Sequence, residues 1–382
     1  MTNSRRTAVF VLERWLLTKD FPANLLPSEG ADRAFVQDLV YTTIRRLRPL
    51  RKVLGELVRK WPKGELEALL YIGAAQILYM PEVPDYAAVN ETVEAAKVSG
   101  NANVAKVVNG VLHNLIRRRA EFDEMLEKAS PDEREGFPSI LYRRWVARFG
   151  AEKAAALAKW HNEPSETYLA YADHFEKLPR GKRVNEAAGY ADGRFVVQDP
   201  ATALAVDLMD VSAGEEVLDA CAAPGGKAIQ LAWRGARVTA CEVNPKRRRK
   251  LEENARRVKA DLAIVESLAL PRTFRKVLVD APCSNSGVLR RRPDARWNWS
   301  EEKLAALVKL QAEILERAAA LVEAGGRLVY STCSNEPEEN QLQVEAFLAR
   351  HPEFALVEQR ESVPVDSGMD GAFAAALVRK TT

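Results

Sequence analysis

Two periodicities divide this chain. Up to about residue 119 apolar positions recur at helical spacing: Val9, Leu12 and Leu16, then Leu66, Leu69, Leu70 and Ile77 within GELEALLYIGAAQILYM. Pro62, Pro81 and Pro84 punctuate these helices. DYAAVNETVEAAKVSG opens on an aspartate suited to cap a helix and closes on Gly100, and NANVAKVVNGVLHNLIRRR predicts an amphipathic helix with a basic end. The acidic stretch 121–136 predicts a linker, with a short helical region over 138–161. After Gly193 the pattern changes to strands alternating with helices. EEVLDA, GARVTACEV, LAIVES, RKVLVDAPC, GRLVYSTC and AALVRK read as strands. NPKRRRKLEENARRVK and SEEKLAALVKLQAEILERAAALVEAGG read as helices, the second with Ser300 as N-cap. This alternation predicts an α/β fold with a mostly parallel, doubly wound sheet, preceded by an all-α domain. The expected division is 1–120, 121–192 and 193–382.

Composition narrows the classes. Apolar residues make up 47% and charged residues 29%, which suits a globular protein. No apolar run approaches the roughly 18 residues of a membrane span. Glu13 and Arg14 interrupt the apolar start, unlike a signal peptide, so a cytoplasmic protein with no membrane partner is expected. The four cysteines form no C-x-x-C pair and the four histidines do not cluster with them, so neither a disulfide framework nor a metal site is expected. Cys241, inside an apolar run, reads as a buried small hydrophobe. Net charge is only +3, but the runs PKRRRK (245–250), LRRRP (289–293) and IRRR (116–119) make a polyanion partner reasonable. Trp297 and Trp299, interleaved with arginines, suit either stacking on RNA bases or packing under a loop.

In an open α/β sheet, ligands bind beyond the carboxyl ends of the strands. Four chemistry-bearing stretches fall there: CAAPGGK (Cys221, Ala222, Ala223, Pro224, Gly225, Gly226, Lys227), Glu242, DAPCS with Asp280 and Cys283, and TCS with Cys333. Two glycines at a strand-to-helix turn let a ligand approach the backbone. The turn is neither G-x-G-x-x-G nor a P-loop, because Ala228 follows Lys227. Glu242 stands where an acid can accept both hydroxyls of a ribose. Together these suggest an adenosine-containing ligand; a tight turn and a surface glutamate are the plainer explanation.

A thiolate at a strand tip is a good nucleophile. Cytosine methylation at carbon 5 needs one, because that carbon is itself a poor nucleophile until a thiolate adds to carbon 6. An acid near ring nitrogen 3 assists the addition, and Asp280, three residues before Cys283, is placed for that role. Spacing alone does not say which thiol attacks.

LDACAAPGGK, VLVDAPCSNSG and YSTCSNEPEEN resemble the motifs of RNA cytosine-carbon-5 methyltransferases of the Nop2/Sun family. DRAFVQDLVYTTIRRL and VNETVEAAK…AKVVNGVLHNLIRR resemble the NusB-type RNA-binding helical domain. The resemblance covers nearly the whole chain. It implies a Rossmann-like methyltransferase sheet behind a NusB-like domain, S-adenosylmethionine as donor, and RNA as substrate, small-subunit ribosomal RNA above all. It places Cys221 to Lys227 around the donor, Glu242 on its ribose, Asp280 between donor and base, and Glu266 at the adenine end. It makes Cys333 the nucleophile and Cys283 the helper in product release, with the protein a monomer. Three positions depart from the family pattern. Asn285 replaces a glycine, so either the backbone differs there or the asparagine is left-handed. Glu266 replaces an aspartate, and TYLAYADHF lacks the arginine of an L-R-x-N segment. The alternatives are a NusB-like RNA-binding or assembly factor with an idle catalytic fold, and an exocyclic-amine methyltransferase. The second usually carries [DNS]-P-P-[YFW] where this chain has DAPC.

Overall fold

A computed structural model describes residues 4–27, 32–98 and 100–381. The chain forms two compact units, one of residues 1–163 with 292–298 and one of 164–291 with 299–382.

The first unit is helical: α1 (Ser4–Thr18), α2 (Arg33–Arg45), α3 (Leu47–Gly55), α4 (Glu65–Tyr79), α5 (Asp85–Lys97), α6 (Ala102–Arg117), α7 (Arg119–Glu127), α8 (Pro131–Glu135), α9 (Ser139–Phe149) and α10 (Ala151–Trp160). Helix α4 is apolar almost all round, and it is buried over Ala68–Ile77 at the centre of the core. Gly73 lets α6 come close, since a Cβ there would lie 2.5 Å from Leu112. Asp85 is the first residue of α5 rather than its cap, which is Pro84. The stretch 121–136, expected as a linker, is instead mostly α7 and α8. Its acids pair with α3 and the residue before it: Asp132 with Arg48 at 2.8 Å, Glu133 with Lys52 at 2.9 Å and Glu135 with Arg46 at 2.9 Å. Composition signals a linker only where acids lack partners, and here the partners lie some 80 residues earlier.

The second unit opens with a small antiparallel sheet, β1 (Tyr168–Ala170), β2 (Phe175–Lys177) and β3 (Val196–Val197), in the order β2-β1-β3. There follow α11 (Ala203–Leu208), β4 (Glu216–Asp219), α12 (Gly226–Trp233), β5 (Arg237–Cys241), α13 (Pro245–Arg257), β6 (Leu262–Val265) and β7 (Phe274–Asp280). After Arg291 the chain contributes residues 292–298, including α14 (Ala295–Asn298), to the first unit. It then completes the second with α15 (Glu301–Ala319), β8 (Val322–Thr332), α16 (Gln341–Arg350), β9 (Phe354–Ser362), α17 (Pro364–Ser367) and β10 (Ala372–Arg379).

The seven strands run β6-β5-β4-β7-β8-β10-β9, parallel from β6 to β8, with β10 antiparallel between β8 and β9. This is the doubly wound, Rossmann-like sheet expected. From β4 the chain winds outward through β5 and β6, then returns to β7 on β4's other side. The carboxyl ends of β4 and β7 therefore flank a topological switch point, where such sheets bind ligands. Two boundaries differ from expectation. The long helix ends at Ala319, and Gly325 and Gly326 belong to β8, where a Cβ on Gly326 would lie 2.9 Å from Arg275 O. Strand β9 shows no alternation because its middle is exposed at the sheet edge.

Candidate active site

The CAAPGGK loop leaves β4 at Asp219. Gly225 takes φ +112°, and a Cβ there would meet Leu251 at 2.9 Å. A Cβ on Gly226 would lie 2.8 Å from Gln198 Oε1, so both positions need glycine for close approach. Arg247 donates to Ala223 O at 2.9 Å and stands 3.3 Å from Glu242 Oε2, while Glu242 Oε1 accepts the Asn244 N–H at 2.8 Å. Glu242 is thus a buried, oriented acid at the end of β5. Glu266 lies beyond β6 but its side chain is 76% exposed and pairs with Arg248 at 3.2 Å. Of the candidate donor residues, it alone points its carboxylate to open solvent.

Lys227 is no solvated helix residue. Its Nζ lies 2.7 Å from Asp280 Oδ2 with only 14% of the side chain exposed, and Ser331 Oγ donates to Asp280 Oδ1 at 2.9 Å. Burial works against the ammonium, but Asp280, Cys333 and Asp219 outweigh it and raise its pKa. Asp219, Glu242 and Asp280 thus gather at the strand ends, Asp280 against Lys227 and Glu242 against Arg247. Burial, then the charge of Asp280, pushes Asp219 up to about 7. Burial likewise raises the Cys221 thiol, so that cysteine packs rather than reacts.

The two strand-end cysteines meet: Cys283 Sγ and Cys333 Sγ are 3.2 Å apart. Asn285 takes φ +59°, the left-handed conformation that stands in for the family's glycine. Its Nδ2 donates to Cys283 O at 3.0 Å, and its Oδ1 accepts from Cys333 Sγ at 3.4 Å. Gly287 packs on Gly371, where a Cβ would lie 2.7 Å from Gly371 O. A pocket opens beside Cys333, lined also by Asp199, Lys227, Val288, Ser331 and Phe373; Cys333 lines it and Cys283 does not. Across it Arg291 bridges Asp199 at 2.7 Å and Asp370 at 2.5 Å. Burial, joined by the charge of Asp199, outweighs Arg291 and pushes Asp370 up to about 6.

An S-adenosylmethionine fits these residues on two observations. The excess of carboxylates suits a sulfonium and an ammonium. Gln198 Oε1 is buried against Gly226 with no hydrogen-bond partner, leaving an acceptor beside the loop.

Residues 206–378 match the 16S rRNA methyltransferase RsmB/F family, and residues 2–117 match the NusB family. Across 99% of its length the chain is 33% identical to ribosomal RNA small subunit methyltransferase B of Serratia proteamaculans, covering 99% of that protein. The chain belongs to the RsmB/F family. A protein of the same name from Yersinia pseudotuberculosis is 32% identical over 91% of each chain. The solved structure of PH0851 shares the fold, with TM-score 0.79 at 22% identity over 99% of this chain and 98% of that one. A methyltransferase homolog protein from Pyrococcus horikoshii shares it with TM-score 0.57 at 22% identity, over 67% of this chain and 99% of that one.

In this RsmB/F chain several site residues escaped the sequence reading. Asp219 was legible in LDACAAPGGK but passed over. Gln198, Asp199 and Asp370 sit in stretches without a chemical pattern of their own. Trp297 packs in the first unit, its Nε1–H donating to Ile44 O at 2.8 Å, and Trp299 is buried in the second. Both are packing residues. Among the described residues no group of His, Cys, Asp and Glu is arranged to hold a metal ion, and no helix is long and apolar enough to cross a membrane.

Proposed function

We infer that this chain transfers a methyl group from S-adenosylmethionine to carbon 5 of a cytosine in small-subunit ribosomal RNA, working in the cytoplasm. The observation that carries this reading is the pair of thiols 3.2 Å apart at the ends of β7 and β8, of which Cys333 alone lines the pocket shared with Lys227. When bound, the donor supplies an electrophilic methyl group on its sulfonium. Gly225, Gly226 and the loop from Cys221 to Lys227 would hold it, with Glu242 on its ribose.

Cys333 is the nucleophile. Its thiolate adds to carbon 6 of a base turned out of its strand into the pocket. As the sulfur–carbon bond forms, the electron pair of the ring's double bond becomes available at carbon 5. The Asp280–Lys227 pair exchanges the proton at ring nitrogen 3, with Ser331 fixing the carboxylate. Carbon 5 then takes the methyl group, its proton passes to water, and as that electron pair re-forms the ring's double bond the carbon 6–sulfur bond breaks and Cys333 leaves as the thiolate. Cys283 serves that release. Its hydrogen bond with Cys333, then burial, holds its thiol well above the usual range.

Radiolabelled methyl transfer to small-subunit ribosomal RNA tests the assignment. Cys333→Ala should lose turnover by about a thousandfold or more; full turnover would remove it from the nucleophile's role. Cys283→Ala should accumulate a covalent protein–RNA adduct on denaturing gels, and clean release would contradict its part. Failure of the wild-type chain to bind S-adenosylmethionine by calorimetry would restore the idle-fold alternative.

A further inference from the structure

The acidic tail that follows Cys333, Glu336 to Asn340, has no part in the chemistry above. Yet Glu339 is completely buried. Its Oε1 accepts the Ser284 N–H at 2.8 Å and Gln311 Nε2 at 2.9 Å. Its Oε2 accepts Ser284 Oγ at 2.5 Å and also the Ser334 hydroxyl. Ser284 directly follows Cys283, and Ser334 directly follows Cys333. One carboxylate therefore binds the next residue after each thiol. Gln311 also donates to Pro282 O at 2.9 Å, which ties the residue before Cys283 to α15.

The arrangement around the carboxylate is closed on the other side too. Ser334 Oγ is 3.1 Å from both Ser284 Oγ and Ser286 Oγ, and it accepts the Glu336 N–H at 2.9 Å. Ser286 Oγ accepts the Asn335 N–H at 2.8 Å. The backbone of Glu339 is itself fixed, its carbonyl accepting the Tyr330 hydroxyl at 2.7 Å from within β8. Asn340 binds Thr332 Oγ1 at 2.6 Å and Ser334 O at 2.9 Å. Ser284, Ser286 and Ser334 are thus bound into one network, and the Glu339 carboxylate accepts from two of them.

We propose that Glu339 is the positioning residue of this site, its carboxylate clamping the loops of Cys283 and Cys333 together and holding the two thiols face to face. Four hydrogen bonds that converge on one buried side chain fix the spacing of the two loops by geometry. The backbone adds one direct tie between the loops, the Gly287 N–H donating to Cys333 O at 3.1 Å, and the Glu339 carboxylate supplies the rest. The Glu339 charge also adds to the effects that keep the Cys283 thiol protonated. The proposal rests on the reading of Cys333 as nucleophile only for its catalytic consequence, not for the geometry itself.

Two measurements test it. Diamide oxidises two adjacent thiols to a disulfide and is itself reduced to the hydrazine, so the rate of joining Cys283 to Cys333, followed by peptide mass spectrometry, reports thiol placement without catalysis. Glu339→Ala should slow this bridging roughly tenfold and lower kcat about 100-fold, the cost of misplacing a reacting group by about 1 Å. The KM for S-adenosylmethionine should stay within about twofold, because the clamp touches no donor-loop residue. Glu339→Gln, which keeps the shape and most of the hydrogen bonds, should recover the larger part of both rates. If the alanine variant does not fold, Ser284→Ala with Ser334→Ala removes the two hydroxyl donors and carries the same test. Bridging and kcat at wild-type values in either variant would overturn the clamp. So would a glutamine variant as impaired as the alanine one, since charge rather than geometry would then be at work. Impaired bridging together with a fully active Cys333→Ala enzyme would keep the clamp and discard the nucleophile assignment instead.

Discussion

Two acidic stretches of similar look are held in different ways. In α8 and the residues around it, Asp132, Glu133 and Glu135 each meet a cation, and the side chains of Arg46, Arg48 and Lys52 stay 21%, 27% and 35% exposed. In the tail after Cys333, Glu339 is fully buried and meets two hydroxyls, a backbone N–H and an amide. Cations at the edge of solvent are forgiving partners: long side chains adjust, water shares the charge, and such pairs contribute about 0–1 kcal/mol. Neutral donors around a buried carboxylate are strict, and each one left without its acceptor costs about 1–3 kcal/mol. The first stretch attaches a helix; the second sets the positions of atoms.

The largest difference should appear on truncation. Glu339→Ala orphans several donors at once and should destabilise the second unit by about 3–5 kcal/mol, whereas Glu135→Ala should cost the first about 1–2 kcal/mol. Urea unfolding, with hydrogen exchange assigning the loss to peptides of each unit, measures both. Equal costs would erase the distinction between the two stretches.

Acid should act in opposite directions on Asp132 in α8 and on Asp219 at the end of β4. Asp132 is partly buried, which opposes its ionisation, but Ser130, Ser139 and Arg48 outweigh burial and depress its pKa. Its contribution is therefore present above the unfolded carboxylate value and is lost as pH falls through the lower folded one. Asp219 behaves the other way. Its folded value is about 7, so the folded state takes up the proton first and gains stability as pH falls from about 7 toward about 4. The groups acting on it are Asp280, Lys227, Glu242 and the Cys221 N–H. A cationic donor should prefer the ionised form. Its affinity, measured by calorimetry, should weaken about fivefold between about pH 8 and pH 6, and Asp219→Asn should flatten that slope. A slope unchanged in the variant would remove Asp219 from the donor's electrostatics.

What the sequence revealed followed how local each cause is. That the CAAPGGK loop, Asp280 and both cysteines lie at strand ends was legible because strands and their turn residues sit together in the chain. The left-handed Asn285 stood as one of two alternatives, and φ +59° selects it. Glu339 was not legible: its partners Ser284 and Gln311 come from 55 and 28 residues away, and acid-rich composition reads as solvated surface. The same bias made a linker of 121–136, where the cations of Asp132, Glu133 and Glu135 lie in α3 and the residue before it. Strand β9 was missed because an exposed edge strand shows no alternation of apolar and polar positions. The β8 boundary was missed because VEAGG continues a helical pattern while its glycines serve close strand approach.

Salt should give the smallest effect and the cleanest separation. Glu133 and Lys52 pair at 2.9 Å with side chains 32% and 35% exposed, so the pair contributes about 0.5 kcal/mol. Raising ionic strength to about 1 M shortens the screening length to about 3 Å and should remove most of that, while the neutral donors around Glu339 respond little. Glu133→Gln should therefore destabilise α8 in dilute buffer by about 0.5 kcal/mol and by nothing measurable in concentrated salt. Hydrogen exchange over 131–136 and over 334–340, at both salt concentrations, reads the two stretches in one experiment. Protection should fall with salt in the first segment and hold in the second. A matching loss in the second would mean that long-range charge, and not the hydroxyl and amide donors, keeps the Glu339 carboxylate in place.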